Sequence, residues 1–210
     1  ATCSMMGQAV GTAAAIAIRD GLNPAGVYQR SIAELQKMLM DDDVWIPWKL
    51  REMSKPVQEA ELIASAGAGI ENVRNGFDRD WEGVSNAWEA PLGSSIEYRF
   101  KTSVDIDKVR IIFDSNLNRK DPSRPRERPK NMRYCKLEGD EPFSPPATIV
   151  KAFRLEVMDA AGNWQIVAEE NNNFQRHVRV PVNQHACGIR LTPLQTWGAE
   201  CVRVFSIDLI

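Results

Sequence analysis

The sequence predicts a mostly-β protein, a β-sandwich of jelly-roll type preceded by a short α-helical segment. Three observations carry this expectation. From about residue 59 the chain breaks into eight or so short apolar or alternating runs with no long helix between them, the pattern of an antiparallel sandwich. Before that, two stretches within residues 7–39 repeat their small and apolar residues at helical spacing. Between these parts lies "IPWKLREMSKPVQ", punctuated by Pro47 and Pro56. The expected organisation is a helical part over 1–45, a linker over 46–57 and a sandwich over 58–210.

The first helix is expected in "GQAVGTAAAIAIRDG", Gly7 to Gly21. Gly7, Gly11, Ala14, Ala15 and Ile18 fall on one face. Glycine weakens a helix by roughly 1 kcal/mol relative to alanine, so a face this small implies that something approaches closely. A signal peptide would need a cationic region first, and residues 1–6 hold no Lys or Arg. A membrane span needs about 20 apolar residues, and Ala9 to Ile18 is half that, interrupted by Thr12. Close helix–sheet packing is the plain reading and a flat ligand the sharper one. Gly21 suits a helix C-terminus, and Asn23-Pro24 suits a turn or a short helix start. Ser31-Ile-Ala-Glu34 has the form of a capping box, ahead of an Ile32, Leu35, Met38, Leu39 stripe. Asp41-Asp42-Asp43 places like charges at the negative end of that helix and should fray it.

Strands are expected at 96–100 and 109–113, the second buried on both faces because Ile111 and Ile112 are adjacent. Others are expected at 153–157, 164–168, 177–181, 188–191 and 202–209, with "DAAGN" at 159–163 as a hairpin turn.

Composition narrows the function. A net charge of −2 in 210 residues argues against a dedicated nucleic-acid binder. The four cysteines form no Cys-x-x-Cys pair, so a zinc site has little support; Cys187 and Cys201 fall near two expected strands where a bridge is the alternative, and free buried thiols are the default expectation. Residues 115–147 form a long insertion rich in Arg, Lys and Pro, read as a solvated loop or a contact for an acidic surface. No nucleophile elbow is present, and neither His177 nor His185 has a carboxylate at a recognisable spacing. The chain itself is therefore expected to be non-catalytic.

"CSMMGQAVGTAAAIAIRDGLNPAGVYQRSIAELQKML" resembles the C-terminal end of the FAD-dependent oxidoreductase family of bacterial polysaccharide degraders. The resemblance covers roughly residues 1–45. It implies that the helix carrying Gly7, Gln8, Gly11 and Thr12 faces the isoalloxazine of FAD in a parent protein. A dinucleotide site also needs a strand, a Gly-x-Gly-x-x-Gly turn and a helix, and no such motif occurs in these residues. The expectation is thus a fragment that holds no FAD by itself and partners a missing N-terminal flavin domain. The resemblance further implies a periplasmic or secreted place.

"ELIASAGAG", "NVRNGFDRDWEGVSNAWEA" and "FRLEVMDAAGNWQIVAEENNNFQRHVRVPV", in that order, are similar to discoidin-like, galactose-binding-like domains. This second resemblance spans roughly 58–210. It implies a sugar site on loops at one end of the sandwich, with candidates Arg79, Trp81, Arg133, Asn173, Arg176, His177 and Trp197 beside Asn172. The plainer expectation for Asn173 to Arg176 is a hydrogen-bonded loop brace. Many such domains hold calcium near an Asn-x-x-Asp-Gly turn; here Asn75 takes the acidic position and Ser206 a second one, so calcium is not expected unless Asp78 and Asp80 compensate. Docking against the flavin domain is the main functional expectation, because the linker spans at most about 40 Å. The alternative is a carbohydrate-binding module acting in polysaccharide utilisation.

Overall fold

The computed structural model describes residues 2–116 and 145–210, so Arg133 and most of the Arg/Pro-rich insertion lie outside the described residues. The helical part comprises α1 (Thr2–Asp20), α2 (Pro24–Arg30), α3 (Ile32–Asp41) and α4 (Lys55–Glu59). Gly21 stops α1 at φ 64°, a left-handed conformation glycine adopts without strain. Asn23 caps α2 by accepting from the Gly26 amide at 2.7 Å. The expected capping box at α3 does not form. Ser31 also closes α2, at φ −126° and ψ 13°, and its hydroxyl makes no cap bond. Glu34 turns instead to Arg19 of α1, which donates to it at 2.7 and 2.9 Å.

The remainder is antiparallel β structure: β1 (Glu61–Ala64), β2 (Trp88–Pro91), β3 (Ile96–Phe113), β4 (Val150–Met158), β5 (Trp164–Glu170), β6 (His177–Thr196) and β7 (Cys201–Leu209). Hydrogen bonding runs β2-β7-β3-β6-β4-β5, with β1 added on β3. The expected runs at 96–100 and 109–113 are two halves of β3, and those at 177–181 and 188–191 are two halves of β6. Both strands are long enough to serve both layers. The first half of β3 pairs with β1 and the second half of β6; the second half pairs with β7 and the first half of β6. Register shifts at Arg99/Val104 and Ile106/Lys108 lie where one layer passes into the other, as bulges permit.

The layers enclose one apolar core that includes Trp88, Tyr98, Ile111, Phe113, Phe153, Leu155, Ile189, Leu191, Val204 and Ile207. Tyr98 is buried and its hydroxyl donates to the Ile207 carbonyl at 3.3 Å. Gly188 is required where β6 crosses β3, since a Cβ there would stand 2.7 Å from the Tyr98 carbonyl oxygen. In the 159–163 hairpin, Asp159 accepts from the amides of Ala161 and Asn163, both at 2.8 Å.

β7 is buried along nearly its whole length, because its outer face is also covered. That face carries Arg203, Phe205, Ser206 and Asp208 of β7 beside Arg110 and Ile112 of β3. The cover is the end of α3 and the strap that follows it, residues 41–54. Arg110, fully buried, donates to Asp78 at 2.7 Å and to the carbonyls of Met40 and Asp41 at 3.1 and 2.9 Å. The acidic triplet does not fray the helix; each carboxylate has a cationic partner. Asp41 takes Lys37 and Arg51 at 2.6 and 2.8 Å, Asp42 takes Arg179 at 2.5 Å and Asp43 takes Arg176 at 2.7 Å. Like charges at a helix C-terminus are unfavourable only when unpaired. Asp208, also fully buried, accepts from Arg51 at 2.5 Å and from the Ser54 amide and hydroxyl at 3.0 and 2.6 Å. Residues 46–54 are therefore bound to the sheet by buried ion pairs.

Asp208→Ala would leave Arg51 buried with only Asp41 to balance it. Removing one partner of a buried pair costs about 3–5 kcal/mol; a loss near 3 kcal/mol is expected in urea unfolding at pH 7, and a loss below 1 kcal/mol would contradict the role given to this pair.

Candidate functional site

Several loops converge at one end of the sandwich. The Asp114 amide donates to the Arg203 carbonyl at 3.1 Å, the Asn173 amide to Lys151 at 2.9 Å, and the Trp197 amide to Ile149 at 3.1 Å. Arg176 donates to the Asp78 carbonyl, bringing the loop before β2 to the same end. Arg79, Trp81, Asn173, Arg176, His177 and Trp197 thus lie at one end of the sandwich or on its outer rim.

Their roles differ. Asn173 is a buried brace: its Nδ2 donates to the carbonyls of Val150 and Gln175 at 2.7 and 2.9 Å, and its Oδ1 accepts from the Gln175 amide at 3.0 Å. Trp197 donates its indole N–H to the Asn173 carbonyl at 2.7 Å, and Lys151 Nζ stands 4.9 Å from its ring centroid. Arg176 is consumed by Asp43, by two carbonyls and by the face of Phe205, 5.4 Å from its guanidinium carbon. Asn172 is exposed, and Phe174 beside it is 63% exposed.

Arg79 and Trp81 are arranged differently. Trp81 opens a two-residue hairpin turn, closed by reciprocal amide–carbonyl bonds with Val84 at 3.2 and 2.9 Å. Glu82 and Gly83, at φ 50° and 81°, give the turn its left-handed pair. The Trp81 ring lies 4.6 Å from that of Trp45 in the strap, tilted by 50°. The Arg79 guanidinium carbon stands 5.4 Å over the other indole, that of Trp45. Its Nε is buried without a hydrogen-bond partner among the described residues, and its closest carboxylate contact is Asp43 at 3.8 Å. Burial, with Arg176 close by, holds the Arg79 guanidinium below its ordinary basicity. Two indoles and a partly exposed guanidinium meet here, and aromatic rings beside N–H donors are groups that can take the C–H face and hydroxyls of a sugar, although the unpartnered Nε itself is buried. Trp45 was not among the sequence candidates. It lies in the strap, and nothing local in "DDDVWIPW" shows that it meets Trp81.

Asparagines hold this loop. Asn72 Nδ2 donates to the carbonyls of Ala87 and Ser85 at 3.0 and 3.4 Å. Asn75 Nδ2 donates to the side-chain oxygens of Asn86 and Asn72 at 3.2 and 3.4 Å, and its Oδ1 accepts from the Phe77 amide at 2.8 Å. Asn86 Nδ2 donates to the Arg79 carbonyl at 3.1 Å. The oxygens that could ligate a hard cation here face N–H donors, and Asp78 and Asp80 are directed to Arg110 and Arg203. This donor set does not fit calcium. Among the described residues no cluster of three or more His, Cys, Asp or Glu could hold a metal ion.

The flavin-facing candidates lie on α1. A Cβ at Gly7 or Gly11 would meet nothing within 4 Å, so the face is open. Thr12 Oγ1 donates back to the Gln8 carbonyl at 2.9 Å, and the Gln8 amide reaches Asp42 at 3.5 Å. Gly67-Ala68-Gly69 is not a phosphate cradle: a Cβ at Gly67 would lie 2.5 Å from the Glu89 carbonyl oxygen, so its glycine serves close backbone packing. Among the described residues no helix is long and apolar enough to cross a membrane. Cys3, Cys187 and Cys201 are free thiols.

The fold likeness is specific. A family 32 carbohydrate-binding module from Streptococcus pneumoniae EndoD superposes with a TM-score of 0.54 at 17% identity, over 75% of this chain and 99% of that one. The sandwich has the fold of family 32 carbohydrate-binding modules. The family 32 module of C. perfringens NanJ, solved in complex with galactose, superposes at 0.51 with 12% identity, over 75% of this chain and 97% of that one. No protein-family model matches the chain, and no curated protein matches it in sequence. The likeness bears out the discoidin-like sandwich. It does not extend to a flavoprotein, and a quarter of the chain lies outside it.

His177 gives a pH prediction. Its Nε2 is buried and without a hydrogen-bond partner among the described residues, and burial, then Arg110 and Arg179, push its pKa down against the pull of Asp43 and Asp42. The unfolded chain binds this proton at higher pH than the folded one, so stability falls as pH drops through about 6.5 and below. The melting temperature should decline between pH 7 and 5.5, with a shallower decline in His177→Gln; equal slopes would refute this assignment. The asparagine relay gives a second: excess EDTA should leave the melting temperature unchanged, and a fall of several degrees reversed by calcium would show a cation in the loop.

Proposed function

We propose that the chain is a non-catalytic accessory module whose sandwich binds carbohydrate through the Trp81–Trp45–Arg79 surface. The observation that carries this reading is the pair of indoles at 4.6 Å with an incompletely satisfied guanidinium beside them. It stands at the loop end of a fold shared with modules such as the one solved with galactose. Sugars present apolar C–H patches next to hydroxyls, and ring faces flanked by fixed donors match both. A secreted or periplasmic place suits a module of this kind. The test is a glycan array followed by titration. Binding with a dissociation constant below about 1 mM, weakened at least tenfold (about 1.4 kcal/mol) by Trp81→Ala, is expected. Absence of any hit would overturn the reading.

A second reading, docking to a flavin domain, is favoured by a separate observation. On α1, Val10 and Ile18 are 69% and 84% exposed, Met6 is 62% exposed, and Gly7 and Gly11 face open space. Ile16 alone is buried, against the neighbouring helices. In this reading the bare face packs against a flavin domain supplied by a longer parent protein, with Gly7, Gln8, Gly11 and Thr12 near FAD. The chain alone is then expected to be colourless, and Val10→Asp and Ile18→Asp to leave its melting temperature unchanged. A purified chain with a near-stoichiometric flavin spectrum, or a large loss of stability in either variant, would count against it.

A further inference from the structure

We propose that the strap belongs to the carbohydrate site and that the ligand is an oligosaccharide, with Trp48 as a second ring platform beyond Trp45 and Trp81. The proposal rests on the carbohydrate reading above. Trp48 is 89% exposed, the most exposed of the large hydrophobic side chains in the described residues. Its backbone stands at φ 58°. A bulky residue in the left-handed region costs on the order of 1–3 kcal/mol and persists where the surroundings impose it. Here folding gains almost nothing from the indole, since it buries little. A Gly or Asn would hold the same turn with less strain. A strained backbone that presents an aromatic ring to solvent is better explained by what the ring contacts in a complex.

Position supports this. Trp48 stands three positions after Trp45, so their Cα atoms are at most about 11 Å apart. The Lys49 amide donates to the Ile46 carbonyl at 3.2 Å, a turn that shortens the distance further. The strap is no free tether. The Arg51 amide donates to the Gly76 carbonyl at 3.2 Å, its guanidinium pairs with Asp208, and Trp45 contacts both Arg79 and Trp81. The ring positions are thus fixed relative to the sandwich, which limits the entropy lost on binding. A single sugar ring covers one indole face. Separate platforms at Trp81/Trp45 and Trp48 suit a ligand with more than one sugar unit, bound across the junction of strap and hairpin. The matching surface is composite, and its strap half lies before the sandwich begins.

The test is isothermal titration with a glycan found on the array, as the oligosaccharide and as its terminal monosaccharide. Trp48→Ala should weaken the oligosaccharide about tenfold and leave the monosaccharide unchanged within about twofold. Its melting temperature should match that of the unmodified protein, because the side chain is exposed. Trp45→Phe should weaken both ligands. Wild-type binding that is lost in Trp81→Ala but unaffected in Trp48→Ala would overturn this inference and leave the carbohydrate reading intact. Absence of wild-type binding to every glycan would overturn the reading itself. Equal loss of monosaccharide and oligosaccharide in Trp48→Ala would show one sugar subsite and refute the two-platform arrangement.

Discussion

Burying the outer face of β7 is the constraint on which the rest depends. That face carries Arg203 and Asp208, and Arg110 beside them is fully buried. A buried guanidinium without partners would cost several kcal/mol. The sheet alone cannot supply enough acceptors, so other segments must. They come from the end of α3, from the strap and from the loop before β2. Asp78 and the carbonyls of Met40 and Asp41 complete the shell of Arg110. The carbonyls at the end of α3 lie at the negative end of a helix dipole, which a cation suits. The strap and the end of α3 are held by the sheet rather than merely joined to it.

The candidate site follows from this arrangement. Asp43 holds Arg176, and Arg176 holds the carbonyl of Asp78, which precedes Arg79 in the chain. The asparagine relay then fixes the carbonyl of Arg79 and the turn that presents Trp81. Trp45 reaches Trp81 because its strap is pinned by Arg51 and Asp208 a few residues further on. Most polar side chains at the loop end are used internally. That division separates Asn173 and Arg176, which brace loops, from Arg79, whose Nε has no hydrogen-bond partner among the described residues, and from Trp81, whose ring meets that of Trp45. The two functional readings use different surfaces: the loop end carries the aromatic cluster, and α1 carries the bare face.

Much of the fold was legible from local patterns. Alternation placed the strands, the 159–163 turn was read from its Asp and Gly, and Gly21 marked the end of α1. These signals depend on short-range geometry, so neighbours in sequence suffice. The continuity of β3 and β6 was not legible, because residues 101–108 and 182–187 lack clean alternation where each strand changes layers. β1 and β2, four residues each, are too short to show a period. The capping box failed because a distant arginine competed for Glu34.

By itself the sequence determined the class of fold, the helical character of the first part, and the places of the main strands and turns. Each is set by periodicity, turn chemistry or order along the chain. Only the tertiary structure decided what the charges and indoles do. Asp41, Asp42 and Asp43 read as self-repelling in sequence, yet each meets a cation 10 to 137 residues away. Trp45 reads as the last residue of the helical part, yet its ring meets that of Trp81 at a 50° tilt. Electrostatic and ring contacts act through space over a few ångströms, and that proximity exists only once the sheet has folded beneath the strap.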